Sequence, residues 1–157
     1  MNPISSARFS PTLPRLPPHH YSGRARLGIR YEAAVHEYLD DRYPERYVPA
    51  PWLNYSCAGE SHFHWCQPDG LLFWPENGRI TIIEAKYQHT PRAHQQLLGL
   101  YTPVLKKIFP ENLWTLEVCE VVKWFDPAIS FPTKIRLVED PLYITTPAFK
   151  VHIFKPH

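Results

Sequence analysis

A chain of 157 residues, 44% hydrophobic and 20% charged, has room for one domain with a single sizeable core. A net charge of +2 excludes a polycation that coats nucleic acid through bulk charge, so any phosphate contact must come from local patches. No apolar run reaches transmembrane length and no secretory pattern opens the chain. The three cysteines, Cys57, Cys66 and Cys119, are odd in number and lack framework spacing, so free thiols in a soluble, cytoplasmic protein are expected.

Residues 1–25 hold Pro3, Pro11, Pro14, Pro17 and Pro18, which disfavour helix and central strand. As far as Arg30 the segment carries Arg8, Arg15, Arg24, Arg26 and Arg30 and no acid. It reads as an extended or disordered basic arm, either lying along DNA or a partner subunit or facing water, with the domain proper over 26–157.

From Gly28 to about Asp41, Ile29, Ala33, Val35, Tyr38 and Leu39 recur at helical spacing, and Pro44 stops the run. Glu32 lies beside the apolar stripe, where a carboxylate is costly unless a metal or a donor meets it. A boundary glutamate paired with an arginine is the other reading. Residues 46–58 read as a strand with an irregular entry, and Gly59 as a turn. His62-Phe63-His64-Trp65-Cys66 then alternates, placing His62, His64 and Cys66 on one face. With Cys57 nearby a zinc site is conceivable, but ligands along one straight strand cannot close a tetrahedron. The histidines are expected instead to flank a substrate groove or to cover a polar sheet face.

The stretch from Pro68 to Lys86 organises the chain. Two β-prone runs, Leu71-Leu72-Phe73-Trp74 and Arg79-Ile80-Thr81-Ile82-Ile83, are joined through Asn77-Gly78, a tight-turn signal. Pairing them back to back brings Asp69 next to Glu84 and Lys86, and the last two, two apart, share a face. Neighbouring carboxylates repel unless a cation sits between them, and hard oxygen ligands suit Mg²⁺ or Mn²⁺. With a lysine beside them, the set suits phosphodiester hydrolysis.

Thr90-Pro91 reads as N-cap and first residue of a helix that runs to about Phe109, kinked at Pro103. Gln96 lies on the shoulder of its apolar face, and Tyr101 reads as core. Arg92, His94, Lys106 and Lys107 are candidates for phosphate contact, although solvated charges are the better reading of the two lysines. A long strand is expected from Leu113 to Phe125 and edge strands at 134–138 and 148–154, where Lys134, Arg136, Lys150, His152 and Lys155 form a basic strip or guard open edges.

Pro68-Asp69, fourteen further residues, then Glu84-Ala85-Lys86 resembles the signature of the PD-(D/E)XK nuclease superfamily. The superfamily includes restriction endonucleases and Holliday-junction resolvases. The resemblance implies an α/β fold: a restriction endonuclease-like αβββαβ core, with a mixed central sheet flanked by helices, over about 28–125, plus extra C-terminal strands. It implies Asp69, Glu84 and the Ala85 carbonyl as ligands of Mg²⁺ or Mn²⁺, with Glu32 as a further acid at the metal. It implies Lys86 as the catalytic lysine and Gln96 as a residue near the site, although Tyr101 follows Gln96 by five positions where some branches place the tyrosine at four. The implied activity is endonucleolytic hydrolysis of DNA leaving 5′-phosphate and 3′-hydroxyl ends. DNA is the expected partner, with a homodimer or a larger nucleoprotein or phage assembly as further expectations, and no membrane. The alternative is a non-catalytic or structural subunit that keeps the nuclease fold.

Overall fold

The structure is a computed structural model that describes residues 2–15, 22–124, 135–138 and 150–156, with backbone alone from residue 124 onward. It is an α/β fold built on a mixed sheet. Helix α1 (Arg24–Arg42) begins before the expected Gly28 and so takes in Arg24, from the end of the expected arm, and Arg26. It buries Tyr31, Val35 and Leu39, each one helical turn from the next.

The expected strand over 46–58 splits. Strand β2 (Tyr47–Pro49) and strand β3 (Leu53–Cys57) belong to different sheets. The break falls at Ala50, whose φ of 40° is the left-handed region that a side chain disfavours. Strand β4 (His64–Cys66) pairs antiparallel with β3. Residues Ile4–Phe9, expected within an arm standing apart, form strand β1 on the other side of β3. None of that segment's prolines falls within β1, so its backbone donors are available for the ladder. Residues 16–21 lie outside the described residues.

Strands β5 (Gly70–Trp74) and β6 (Arg79–Gln88) form the expected hairpin. Its connection is not a two-residue Asn-Gly turn. Pro75–Asn77 makes a single 3₁₀ turn, and Gly78 follows in the left-handed region at φ 56°. The Gly78 carbonyl accepts the Thr115 N–H at 2.7 Å, tying the turn to the start of β7 (Thr115–Trp124).

The helix expected over Pro91–Phe109 is three pieces: α2 (Pro91–Gln96), a π-helical turn over Leu97–Tyr101, and α3 (Thr102–Ile108). Pro103 explains the interruption, because it has no N–H to donate and its ring crowds the carbonyl four residues back. The Thr102 hydroxyl donates to the Leu97 carbonyl at 2.7 Å within that wider turn. Thr90 precedes α2 as expected, but its side chain makes no capping hydrogen bond.

The large sheet has the order β2-β5-β6-β7-β9-β8, where β8 is Ile135–Val138 and β9 is Lys150–Pro156. Among the described residues only the β6–β7 pair is parallel, and α2 and α3 make the crossover. Strand β9 lies inside the sheet between β7 and β8, so the expectation of an edge strand there is corrected. The side chains of the C-terminal basic strip lie outside the described residues. Among the described residues no helix is long and apolar enough to cross a membrane.

Apolar side chains leave both faces of the sheet. Leu72, Ile83, Ala85, Cys119 and Val121 pack on α1 through Tyr31, Val35 and Leu39. Leu71, Ile80, Ile82, Leu116 and Val118 pack on Leu97, Tyr101, Val104 and Leu105, and on the small sheet through Ile4, Leu53 and Tyr55. A side chain as fully buried as Leu53 contributes about 2–3 kcal/mol through burial. The three cysteines are free and buried.

One close approach constrains the entry to β5. A Cβ on Gly70 would lie 2.4 Å from Tyr47 Cε2. Gly70→Ala must therefore push the Tyr47 ring away, and a loss of about 1–3 kcal/mol in urea denaturation is expected. Unchanged stability would show that the ring yields freely.

Candidate active site

Strand parity gathers the acids. Leu71 faces the α2–α3 side, so Asp69, two residues earlier, faces that side too. Glu84 and Lys86 share the parity of Ile80 and Ile82 and face the same way. The β5–β6 ladder ends at the Gly70–Ile83 pair, which leaves Asp69 opposite Glu84 just beyond it. There Asp69 Oδ2 accepts the Ala85 N–H at 2.6 Å, replacing the backbone acceptor that a continued strand would supply. Asp69, Glu84, Ala85 and Lys86 therefore meet, as the sequence led one to expect.

The backbone around Asp69 is clamped from both faces. Its carbonyl accepts the Ala50 N–H at 3.0 Å and the Tyr47 hydroxyl at 3.3 Å. The Gln67 side-chain amide donates to the Ala50 carbonyl at 2.7 Å, which ties the strained residue to the same strand entry. From the helix side, the Tyr101 hydroxyl donates to the Gln67 carbonyl at 3.0 Å. Gln96 Nε2 donates in turn to the Tyr101 hydroxyl at 3.2 Å. The five-residue spacing of Gln96 and Tyr101, one too many for an α-helix, suits the π-helical turn between them. Tyr101 is buried in the core, as expected, and its hydroxyl also holds the strand entry at Gln67. Burial and then the Glu84 and Asp69 charges push its hydroxyl well above the usual tyrosine range.

The electrostatics set two buried carboxyls against each other. The Glu84 side chain is 1% exposed; Oε1 receives the Lys86 ammonium, and Oε2 is buried without a hydrogen-bond partner. Burial and then Asp69 raise the Glu84 carboxyl above the ordinary range, against the pull of Lys86. Burial and then Glu32 raise Asp69, opposed by the Ala85 N–H and Lys86. Hard carboxylate oxygens, one of them orphaned, fit a divalent cation such as Mg²⁺. Glu32 comes from α1 on the opposite face and stays 40% exposed. It lies 3.6 Å from His36 rather than beside an arginine, and close enough to raise Asp69. It does not form a three-ligand cluster with Asp69 and Glu84 within 4.8 Å.

A neighbouring group was not foreseen. Glu120 on β7 pairs in register with Glu84 and faces the same side. His89 and His94 meet it there, with His89 Nδ1 2.6 Å and His94 Nε2 3.9 Å from Glu120 Oε2. His94 is buried, so its expected role in phosphate contact is corrected. Burial pushes the Glu120 carboxyl up to about 8; Lys86 and the Thr90 N–H oppose and Glu84 adds. The sequence clue was a glutamate in an apolar strand, but its partner strand is parallel and distant in sequence. Lys106 pairs with Glu111 at 2.6 Å, in keeping with a solvated charge.

Compared with known proteins, the chain matches no family model, no curated protein and no solved structure.

Asp69, Glu84 and Glu120 all hold protons more tightly folded than unfolded. Such groups favour the fold below the ordinary carboxylate pKa, and that stability is lost as pH rises through the raised values. With chelator present, Tm is expected to fall as pH rises from about 4 towards about 8. Glu120→Gln, which cannot ionise, should flatten the upper part of that slope in scanning calorimetry. A Tm that rises across the window would contradict the burial of these acids.

Proposed function

We propose that the chain is a divalent-metal-dependent DNA nuclease with a restriction endonuclease-like core. The observation that carries this is the buried, repelling Asp69–Glu84 pair beside Lys86 at the end of the β5–β6 ladder. Two features lend support. One is the succession α1, β2, β5, β6, helix, β7 that remains when β3 and β4, inserted between β2 and β5 and belonging to the small sheet, are set aside; its antiparallel pairs followed by one parallel crossover match the αβββαβ order that the motif's resemblance implies. The other is the orphaned Glu84 Oε2.

Asp69 and Glu84 would hold Mg²⁺ or Mn²⁺, with Glu32 swinging in from α1 and the Ala85 carbonyl as a backbone ligand. When bound, such an ion supplies Lewis-acid stabilisation of phosphoryl charge and a more acidic water. The chain's own residues do the rest. The Ala85 N–H and the Tyr47–Ala50 clamp fix where Asp69 points. Lys86, 27% exposed, leaves Glu84 to donate to the attacking water or to a non-bridging phosphate oxygen. Gln96 and Tyr101 hold the strand entry at Gln67. Burial of Glu84 and Glu120 keeps the floor of the site poor in water, which strengthens each of these interactions.

The test is incubation of the protein with plasmid, linear and branched DNA in Mg²⁺, Mn²⁺ or chelator. Cleavage with either metal and none with chelator is expected. Asp69→Asn should lower the rate about 10²–10⁴-fold while leaving the fold intact. Cleavage retained by that variant removes Asp69 from the site. Lys86→Ala should lower turnover far more than DNA affinity; equal losses in both would make it a phosphate anchor alone. DNA binding without cleavage at any metal concentration would favour a non-catalytic subunit.

A further inference from the structure

The connection between β3 and β4 brings together a second, chemically different set of donors. Strand β3 ends at Cys57 and β4 begins at His64. Tyr55 pairs with His64, and Cys57, two steps further along β3, shares the face of Tyr55, while His62 lies in the bend just before β4. Gly59, at φ 82°, turns the chain back, and the Glu60 N–H donates to the Cys57 carbonyl at 3.1 Å. This turn carries Glu60 over the same face. Its Oε2 lies 2.5 Å from His64 Nε2 and 3.6 Å from His62 Nε2, so both rings aim at one oxygen. The donor atoms of Cys57, Glu60 and His64 all lie within 4.8 Å of one another.

We propose that Cys57, Glu60, His62 and His64 form a structural zinc site. The objection that ligands on one strand cannot close a tetrahedron falls away, because strand, turn and returning strand each contribute. Cys66, considered with these residues from the sequence, pairs with Leu53 at the far end of the hairpin and is not a member. Glu60, which the alternating pattern did not single out, is. One thiolate and one carboxylate neutralise Zn²⁺, and two imidazoles complete four ligands without adding charge. Sulfur and imidazole nitrogen select zinc over the hard cations suited to Asp69 and Glu84. Tetrahedral zinc holds its ligand atoms roughly 3.3–3.8 Å apart; the 3.6 Å from Glu60 Oε2 to His62 Nε2 falls in that range, and the 2.5 Å to His64 Nε2 is a hydrogen bond that an ion would open. Four protein ligands leave no open position for substrate, so the role is to hold the fold. Only Gln67 and Pro68 separate β4 from Asp69, so the clip stiffens the small sheet that leads into the acidic pair.

The test uses the full chain, purified without chelator. About one equivalent of zinc per chain is expected by elemental analysis. After zinc removal, Co²⁺ titration should give the intense visible bands of a tetrahedral site together with a thiolate-to-cobalt charge-transfer band. Cys57→Ser should lose the charge-transfer band. His62→Ala, at an exposed position that keeps the fold, should weaken zinc retention, and Asp69→Asn should change neither readout. A folded wild-type chain that takes up neither metal overturns the proposal. So does a cobalt spectrum without the thiolate band, which would leave Glu60 and His64 as an ordinary ion pair. The wild-type spectrum decides the matter even where Cys57→Ser does not fold.

Discussion

The hydrogen bond from the Ala85 N–H to Asp69 Oδ2 is the constraint on which the candidate site depends. The β5–β6 ladder begins only at Gly70, and just before it, at Asp69, the sheet would leave a backbone donor unmet. A carboxylate meets it. The same bond brings a second negative charge next to Glu84, inside a fold that shields both from water. Sheet continuation and charge accumulation are therefore one event. A neutral hydrogen-bonding side chain could satisfy the donor; only an acid adds repulsion with Glu84.

The surroundings reinforce that geometry rather than soften it. Ala50 sits in a disfavoured backbone region while its N–H and carbonyl both serve the entry to β5. Such strain persists where surrounding contacts over-determine it. Gly70 lets the Tyr47 ring lie against the backbone beside Asp69, and that ring's hydroxyl also contacts His36 Nδ1 at 2.5 Å. Across the sheet the π-helical turn swings Tyr101 onto Gln67. Glu120, with His89 and His94 against it, extends the buried polar floor next to Glu84. A packed polar network of this size is a costly thing to bury, and it lies where the acids converge.

Much of this was legible in the sequence, and the failures have physical causes. Parity and hairpin pairing placed Asp69, Glu84 and Lys86 together because those rules are local. The helix after Pro91 was legible as well, but its π-turn was not: Pro103 announces a disruption without saying how the backbone absorbs it. That ambiguity made Gln96 and Tyr101 look mismatched. The run 46–58 looked like one strand because nothing in Pro49-Ala50-Pro51 says that the chain changes sheets there. Strand β1 was hidden by neighbouring prolines. Glu120 and Glu60 were missed for one reason: each becomes informative only beside partners set by non-local pairing or by a turn.

The central claim is that the Asp69 and Glu84 carboxyls are held in an unfavourable, shared environment that a divalent cation relieves. Site-resolved carbon NMR titration of these two side chains, with and without Mg²⁺, measures this directly. Without metal, both are expected to titrate above the ordinary carboxylate range; with Mg²⁺, both should move down and lose their coupling. Two carboxyls that titrate independently at ordinary values, unmoved by Mg²⁺, would contradict the account.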